Sequence, residues 1–369
     1  MKKKVLLVFG TRPEGSKMAP LVKVLERDCR FETVVCVTAQ HREMLDMVLE
    51  LFSIVPDYDL NIMKQGQDLF DISAAVLLGM RDVIRSCRPD IVLVHGDTTT
   101  TMAASLAAFY EDVKVGHVEA GLRTGNKRSP WPEEINRRIT DVLADYYFAP
   151  TTLNRENLLQ ENVPEEAIYV TGNTVIDALH LALGKDCPLY ECGLNGIDLS
   201  KKIVLLTCHR RENWGEPMER IFRAVATLKK RNPEIEIIFP VHKNPLVRET
   251  AARQLAGKKG IHLIEPLDYH PFSTLISKSY LVLTDSGGIQ EEAPAVGKPV
   301  LVLRDTTERP EAVAAGTVKL VGTNSENILA ETEALLRDEK RYQAMAMKKN
   351  PYGDGTASCQ IAQILAKKL

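Results

Sequence analysis

The chain has 369 residues, of which 44% are hydrophobic and 26% are charged, a composition typical of folded proteins with more than one domain. Its 47 basic and 49 acidic side chains give a formal net charge of −2, which argues against a strongly basic nucleic-acid-binding protein and against an acidic disordered chain. No apolar run reaches the roughly 18 residues of a membrane-spanning helix, and the run at residues 5–9 is too short for a signal-peptide core.

The cysteines point to a reducing compartment. There are 7 of them, with no C-x-x-C pair and no His at the spacing of a zinc site. Scattered thiols in an odd number favour a reduced, cytoplasmic protein without a metal site.

Short apolar runs alternate with longer helical patterns in the first half of the chain. The pattern predicts strands at residues 5–9, 33–38, 91–95, 113–118 and 146–149, and helices at 18–27, 44–52, 69–85, 99–110 and 134–143. Because the strands are continuously apolar, we expect a parallel sheet with helices on both faces.

The second half repeats this scheme after a linker at residues 184–200 that is rich in Gly, Pro, Cys and Asp. Strands are predicted at 203–207, 235–241, 262–264, 281–284, 300–303 and 317–320, and helices at 218–230, 245–255, 272–277, 289–295 and 325–337. The fold class is therefore α/β, with two doubly wound Rossmann-like lobes at residues 1–178 and 179–354. A final helix within residues 355–369 is expected to cross back to the first lobe.

Ligands of such sheets bind beyond the carboxyl ends of the strands, and the first strand ends in a glycine turn. Arg12 and Lys17 add positive charge to the free backbone N–H groups of this turn, which suits a phosphate. A structural turn with solvated cations is the alternative, since neither a dinucleotide fingerprint nor a Walker A motif is present.

Three carboxylates follow later strands of the first half: Asp97, Glu119 and Glu133. Each of them also has a purely structural interpretation. Asp97 could cap the following helix, and Glu119 could form a salt bridge with Arg123. Glu133 and its neighbour Glu134 could compensate the helix dipole in a first helical turn. The stiff segment Pro130-Trp131-Pro132 before Glu133 suits a loop that closes over a ligand.

Strand ends of the second half carry cations, histidines and glycines. His209 stands beside two arginines, His242 precedes a lysine, and Ser286-Gly287-Gly288 leads into a helix that carries Glu291 and Glu292 one turn from its start. This turn is suited to a phosphate, and one of the two glutamates to ribose hydroxyls. Together, these features predict an anion-binding cleft between the lobes, although each has a structural alternative.

At these motifs the chain resembles the non-hydrolysing UDP-N-acetylglucosamine 2-epimerases. The resemblance runs in unbroken order from the first strand to the last helix. It is carried by GTRPE at residues 10–14, KMAP at 17–20, TAQHREML at 38–45, HGDTTTT at 95–101, HVEAGLRT at 117–124, SPWPEE at 129–134, TGNTVIDAL at 171–179, HRRE at 209–212, PVHKNP at 240–245, LTDSGGIQEEAP at 283–294, GKPVLVLRDTTERPEAV at 297–313 and NPYGDG at 350–355.

The resemblance implies a GT-B-like pair of lobes with the active site in the cleft between them and the nucleotide held mainly by the second. It also implies reversible interconversion of UDP-GlcNAc and UDP-ManNAc without a cofactor, through elimination of UDP to a 2-acetamidoglucal and its re-addition. Such an enzyme would supply ManNAc units for surface polysaccharide and form a homodimer, with no nucleic-acid or membrane partner.

Site residues are carried over position by position. The resemblance gives Asp97, Glu119, Glu133 and His209 as catalytic, without settling which carboxylate takes the proton. It gives the following as substrate-binding: Arg12, Lys17, His242, Phe272, Ser286, Gly287, Gly288, Glu292 and Arg309. Gln40, His41 and Arg123 match segments associated with a second, activating UDP-GlcNAc.

Two positions depart from the family pattern. Gly15-Ser16 replaces a usual small apolar pair, which puts the positioning of the phosphate turn in question, and Cys208 stands where glycine is common, which brings a thiol near the expected diphosphate. A GT-B glycosyltransferase, a hydrolysing epimerase and a non-catalytic nucleotide-sugar sensor remain the alternative functions.

Overall fold

The computed structural model describes residues 2–40, 42–188, 190–192 and 194–369, which form two compact units. The first unit extends to Ala182 and also includes Tyr352–Leu369, and the second comprises Leu183–Pro351. The sequence placed the corresponding boundaries after residues 178 and 354. Among the described helices, none has both the length and the apolar character needed to cross a membrane.

The first unit contains a seven-stranded parallel sheet. Its strands are β1 (Lys3–Phe9), β2 (Phe31–Val37), β3 (Tyr58–Asp59), β4 (Ile91–His95), β5 (Lys114–Val118), β6 (Tyr146–Ala149) and β7 (Ile168–Val170). Their order in the sheet is β3-β2-β1-β4-β5-β6-β7. The change of direction at β1 makes the carboxyl ends of β1, β4 and β5 neighbours, which is where a doubly wound sheet binds its ligand.

Helices cover this sheet: α1 (Arg12–Arg27), α2 (Arg42–Leu51), α3 (Leu69–Cys87), α4 (Thr99–Tyr110), α5 (Glu133–Leu143), α6 (Thr152–Gln160) and α7 (Thr174–Leu183). The C-terminal helix Ala357–Lys368 belongs to the same unit and packs against α1. Apolar and polar side chains do not alternate along β1, where the consecutive residues Leu6, Leu7 and Val8 have no exposed surface. Both faces of the sheet are therefore buried at this strand, as expected for a parallel sheet between helices.

The second unit repeats the architecture with six parallel strands: β8 (Lys202–Thr207), β9 (Ile235–Pro240), β10 (Ile261–Ile264), β11 (Leu281–Thr284), β12 (Val300–Val302) and β13 (Val318–Leu320). Their order is β10-β9-β8-β11-β12-β13. Its helices are α8 (Glu216–Arg231), α9 (Pro245–Leu255), α10 (Tyr269–Lys278), α11 (Ile289–Ala295), α12 (Pro310–Ala315), α13 (Ser325–Arg337) and α14 (Glu339–Ala346). Phe222 of α8 meets Phe239 of β9 in its core.

The two doubly wound α/β units confirm the fold class predicted from the sequence. The predictions omitted β3 and β7 at the sheet edge and helices α6, α7, α12 and α14. The omitted strands have only two and three residues, too few to show a period. Helix α6 is polar over most of its length, with only Asn154 and Leu158 buried, so it lacks an apolar stripe.

Candidate active site

The turn between β1 and α1 is built around Gly10 and Glu14. A Cβ placed on Gly10 would lie 2.0 Å from the Thr38 hydroxyl oxygen, so no side chain fits there. Glu14 Oε2 accepts hydrogen bonds from the backbone N–H groups of Gly10 (3.0 Å) and Thr11 (2.8 Å), and Oε1 accepts one from the Thr98 hydroxyl (2.6 Å). Burial raises the pKa of Glu14, and these hydrogen bonds oppose that rise. The buried glutamate thus ties the turn after β1 to the turn after β4.

Glu119 directly follows β5 and has a φ of 67°, a left-handed conformation that is costly for a residue with a Cβ. Its Oε2 accepts hydrogen bonds from Lys17 Nζ and from Asn173 Nδ2, the latter at 2.8 Å. His95 Nε2 lies 3.7 Å from the same oxygen. Burial lowers the pKa of His95 to about 3 in spite of the nearby Glu119 carboxylate, so this histidine is neutral at pH 7.

Asp97 is held by an arginine that the sequence analysis did not single out. Arg137, whose side chain is only 5% exposed, donates through Nη2 to Asp97 Oδ2 and through Nη1 to Glu134 Oε2, the latter at 2.9 Å. Glu134 also accepts hydrogen bonds from the backbone N–H groups of Thr124 (3.1 Å) and Gly125 (3.2 Å). Glu134 therefore does more than compensate the dipole of α5, because it also anchors the loop before this helix.

A cavity of about 490 Å³ opens beside Asp97 and Glu133. Arg12 and Gln40 also line it, and among the described residues no carboxylate forms an ion pair with Arg12. One carboxylate oxygen of Glu133, Oε2, is buried without a hydrogen-bond partner in the described part of the chain. The cavity thus combines one available cation with an acid whose buried oxygen has no partner, which suits contact with a polar ligand.

Arg123 lies in a different network. It donates to Asp141 Oδ2 (2.6 Å) and to both oxygens of Glu161 (2.9 and 2.6 Å). Burial lowers its pKa, but the two carboxylates outweigh this effect and raise it. On the other side, His117 Nδ1 lies 2.6 Å from Asp141 Oδ1. Gln40 lines the cavity beside Asp97, whereas Arg123 is held by the carboxylates of Asp141 and Glu161. His41, the third activator candidate, lies outside the described residues.

In the second unit, Asp285 organises the turn after β8. Its Oδ2 accepts hydrogen bonds from the backbone N–H groups of His209 (2.8 Å) and Arg210 (2.9 Å) and from Asn213 Nδ2 (3.0 Å). Asp285 has no exposed surface, and it follows β11, the neighbour of β8 in the sheet. The buried aspartate fixes the backbone that presents His209.

His209 and His242 are stacked, with ring centroids 5.4 Å apart and planes inclined by 17°. Burial lowers the pKa of His209, and the neighbouring His242 and Arg210 lower it further against the opposing charge of Asp285. The His242 Nδ1 atom accepts a hydrogen bond from the Asn244 backbone N–H at 3.1 Å. The two rings that follow β8 and β9 are thus stacked on each other, a contact that the repeated pattern of strand and histidine did not itself predict.

The Ser286-Gly287-Gly288 turn after β11 is surrounded by guanidinium groups. A Cβ placed on Gly287 would lie 3.6 Å from Arg210 Nη2, 4.0 Å from Arg309 Cζ and 4.0 Å from Glu308 Oε2. Arg309 Nε donates to Glu291 Oε1, and Glu291 is 2% exposed. The glycine turn and the two arginines therefore lie together in the second unit, with Arg210 paired to Glu308 and Arg309 to Glu291, and guanidinium groups beside a glycine turn are suited to a diphosphate.

The two glutamates of α11 have different neighbours. Glu291 faces Arg309, whereas Glu292 is close to Gly288 and to the hydroxyl group of Tyr269, the first residue of α10. Burial raises the pKa of Tyr269, and Glu292 raises it further. Phe272 lies one turn further along α10. Glu292 rather than Glu291 is therefore the acid that stands beside the glycine turn.

The structure also shows where the two departures lie. Cys208 is 1% exposed and packs in the apolar core of the second unit, and burial raises its pKa well above the usual range. A Cβ placed on Gly15 would lie 2.8 Å from Leu45 Cδ1 of α2. The Cys208 side chain is thus packed in that core, where its thiol also interacts with Asp285 and Asn213.

Sequence reasoning missed Arg137, Asn173 and Asp285, which hold the candidate acids and His209 in place. Arg137 had a weak signal, since it follows Glu134 by three residues on one helix face. Asn173 follows β7, which was not predicted, and Asp285 was noted only as part of the strand end. Within the described part of the chain, no cluster of His, Cys, Asp or Glu is placed to hold a metal ion.

Comparisons with known proteins agree with the architecture of both units. Residues 23–366 match the family model described as UDP-N-acetylglucosamine 2-epimerase. The chain belongs to the UDP-N-acetylglucosamine 2-epimerase family. It is 57% identical over 368 residues to the UDP-N-acetylglucosamine 2-epimerase of Escherichia coli K12, with 98% of each chain covered.

Solved structures of this family also resemble the chain in sequence and in fold. A putative UDP-N-acetylglucosamine 2-epimerase from Listeria monocytogenes has 52% identity and a TM-score of 0.94, covering 100% of this chain and 97% of that one. The UDP-GlcNAc 2-epimerase from Neisseria meningitidis bound to UDP-GlcNAc has 53% identity and a TM-score of 0.87, covering 99% and 100%. The family resemblance stated from the motifs is therefore confirmed, as is the GT-B-like fold class.

Proposed function

We propose that this epimerase-family chain interconverts UDP-GlcNAc and UDP-ManNAc by eliminating UDP to form a 2-acetamidoglucal and then adding UDP back. The observation that carries this proposal is a set of three carboxylates in the first unit: Asp97 and Glu119 follow the neighbouring strands β4 and β5 and are held by hydrogen bonds, and Glu133 begins α5 with a buried oxygen that has no partner among the described residues. Membership of the family supplies the substrate class, because the Neisseria meningitidis relative is bound to UDP-GlcNAc.

The chemistry explains why acids are required. The C2 proton of the sugar is not acidic, since no carbonyl group is adjacent to C2 in the ring. Elimination removes this proton while the C1–O bond to UDP breaks, which leaves a C1=C2 double bond. In the return step UDP oxygen attacks C1 and a proton is delivered to C2 from the opposite face, so a base and an acid are needed on different faces.

We assign the acid and base roles to Asp97, Glu119 and Glu133 of the first unit. Glu119 is oriented by Lys17 and Asn173, and Asp97 by Arg137. Glu133 has an unpartnered buried oxygen at the cavity that Arg12 lines. Elimination and re-addition need two proton-transfer groups, and these three carboxylates are the candidates; the geometry leaves open which one removes the C2 proton.

We assign nucleotide binding to the second unit. Arg309 and the Ser286-Gly287-Gly288 turn would hold the diphosphate, with His209 and His242 beside it as groups that stabilise the leaving UDP. Glu292 would bind the ribose, and Phe272 would lie beside the uracil. Breaking the C1–O bond adds a negative charge to the diphosphate, and Arg210 and Arg309 beside the turn are placed to stabilise it.

The decisive experiment is incubation with UDP-GlcNAc in heavy water without any added nicotinamide. We expect UDP-ManNAc to form and deuterium to appear at C2 of both sugars. Asp97→Asn should remove both signals, whereas the matched control Asp112→Asn, at an exposed position after α4, should retain them. Recovery of unlabelled substrate alone from the wild-type chain would contradict the proposal.

The same assay separates the alternative activities. Free ManNAc together with UDP would identify a hydrolysing epimerase. Transfer of the sugar to an added acceptor without epimerisation would identify a glycosyltransferase, and UDP binding without turnover a sensor. The carboxylates of the first unit favour the epimerase, because binding of a sugar-nucleotide donor by the second unit does not require them.

We further propose that the enzyme forms a homodimer, that it supplies ManNAc units for surface polysaccharide, and that a second UDP-GlcNAc acts as an activator. The family resemblance supports these points. Gln40 is the activator candidate that lines the cavity with Arg12, whereas Arg123 already binds two carboxylates. Gln40→Ala should therefore change the dependence of the rate on UDP-GlcNAc concentration more than Arg123→Lys does, as measured by initial rates.

A further inference from the structure

Two cysteines lie close together in the segment that follows α7. Cys187 and Cys192 have their Sγ atoms 2.9 Å apart. Both are thiols; Cys192 is fully buried, whereas Cys187 is partly exposed. By contrast, Cys29 and Cys359 are exposed, and no sulfur-to-sulfur contact of either is found among the described residues.

The local backbone brings the two sulfurs together. The Pro188 carbonyl oxygen accepts hydrogen bonds from the backbone N–H groups of Glu191 (3.0 Å) and Cys192 (3.3 Å), so Pro188, the neighbour of Cys187, is held close to Cys192. A disulfide bond is about 2.05 Å long, so the sulfurs need to approach by less than about 1 Å. Because the intervening chain is short, closing it costs little additional chain entropy.

We propose that Cys187 and Cys192 form a reversible modification site, which a low-molecular-weight disulfide such as oxidised glutathione converts into an intrachain disulfide. The Cys187 thiolate attacks one sulfur of the oxidant, whose S–S bond breaks and releases one small thiolate. Cys192, after giving its proton to solvent, attacks the Cys187 sulfur and displaces the second small thiolate. The protein loses two electrons and two protons, and the oxidant is reduced to two small thiols.

Burial decides the order of the two steps. Cys187 is the accessible thiol and so meets the oxidant first. Burial raises the pKa of Cys192 to about 12, and its contact with Cys187 adds to that rise, so Cys192 is a poor first nucleophile. It becomes effective once the mixed disulfide places an electrophilic sulfur within contact distance.

The site lies against α10. The His270 ring nitrogen Nε2 is 3.3 Å from the Lys185 carbonyl oxygen, and the Thr274 hydroxyl interacts with the Cys192 thiol. Oxidation would therefore fix the segment beside the helix that carries Phe272. The modification site itself stands on the geometry of the two thiols and does not depend on the proposed enzymatic activity.

Peptide mapping tests the site directly. Trypsin, which cleaves after lysine, releases residues 186–201, a peptide that contains both cysteines and no others. After treatment of the full chain with oxidised glutathione, this peptide should lack two hydrogens, carry no glutathione and resist alkylation until dithiothreitol is added. A stable glutathione adduct on Cys187, or full alkylation without reductant, would overturn the proposal.

A second test uses Tyr190, which is 68% exposed between the two cysteines. Because chymotrypsin also cuts at other exposed aromatic residues such as Phe70, the two fragments that flank the Tyr190 cut are followed by mass spectrometry; in the oxidised chain they should stay joined without reductant and separate with it. In the Cys187→Ser and Cys192→Ser variants these two fragments should be separate under both conditions, and the matched control Cys29→Ser should behave as the wild type. Separation of the oxidised wild-type fragments without reductant would refute the disulfide.

Discussion

Glu133 and Glu134 are adjacent at the start of α5, but substitution by glutamine should affect different properties: stability at Glu134 and turnover at Glu133. Glu134 is 1% exposed and accepts hydrogen bonds from Arg137 (2.9 Å), Thr124 N–H (3.1 Å) and Gly125 N–H (3.2 Å). In Glu134→Gln the amide nitrogen replaces one acceptor, so at least one of these buried donors loses its partner. Removal of one member of a buried ion pair costs about 3–5 kcal/mol, and we expect a loss of this size.

Glu133→Gln should instead leave stability within about 0.5 kcal/mol, because its buried Oε2 has no hydrogen-bond partner among the described residues. If Glu133 transfers a proton, kcat should fall by about 10²–10⁴-fold while UDP affinity stays near that of the wild type.

Urea and thermal unfolding measure the stability loss of Glu134→Gln. A loss of about 3–5 kcal/mol corresponds to a decrease in Tm of about 6–20 °C, at about 2–4 °C per kcal/mol for a unit of this size. Initial rates of UDP-ManNAc formation and calorimetric titration with UDP measure the second. The reasoning would be refuted if both variants lost the same stability, or if Glu133→Gln retained near wild-type turnover.

Three further predictions concern other parts of the chain. Arg309→Ala should weaken UDP binding by about 10–100-fold in calorimetry, since a charge-assisted hydrogen bond contributes about 1.5–3 kcal/mol. Arg309→Lys should recover part of this loss. Unchanged affinity in Arg309→Ala would contradict the proposed role of Arg309 in binding the diphosphate. Burial lowers the pKa of His95 to about 3, below about 6.5 in the unfolded chain, so the unfolded state binds a proton first and stability is lost as the pH falls through this range. When the pH is lowered from about 7.5 to about 5, the free energy of unfolding of His95→Asn, measured with urea, should therefore fall by about 2 kcal/mol less than that of the wild type. Equal decreases in the two proteins would exclude this linkage. Cys208→Ala should lower the free energy of unfolding by about 1 kcal/mol without changing UDP affinity, because its side chain packs in the apolar core of the second unit, and a changed affinity would show that the thiol acts on the nucleotide.

The sequence predicted most strands and helices because their signal is local. The runs that became β1, β4 and β8 are apolar enough to mark buried strands, and the residues that follow them were correctly placed at strand ends. The motifs also identified the family. What the sequence did not show is which polar groups pair, since Arg137 lies 40 positions from Asp97 and the β4–α5 contact depends on the packed fold.

The acidic side chains of the first unit differ in how their oxygens are satisfied, and this difference supports the assignment of roles. Glu14 and Glu134 are buried, and backbone N–H groups of turns occupy their oxygens. They stabilise the turns, so neither has an oxygen available for proton transfer. Glu133 retains a buried oxygen without a partner in the described chain.

Glu119 lies between these two cases, because side chains hold its carboxylate while its backbone is strained. It is held in a left-handed conformation, with φ at 67°, that costs about 1–2 kcal/mol for a residue other than glycine. Its backbone N–H and that of Ala120 both donate to the Phe148 carbonyl oxygen (3.1 and 3.2 Å), and its carboxylate meets Lys17. A residue selected only for the turn would be glycine, which adopts this conformation without strain. The strain is therefore consistent with the role proposed for this carboxylate, which lies beside Lys17 and at the strand end that neighbours Asp97.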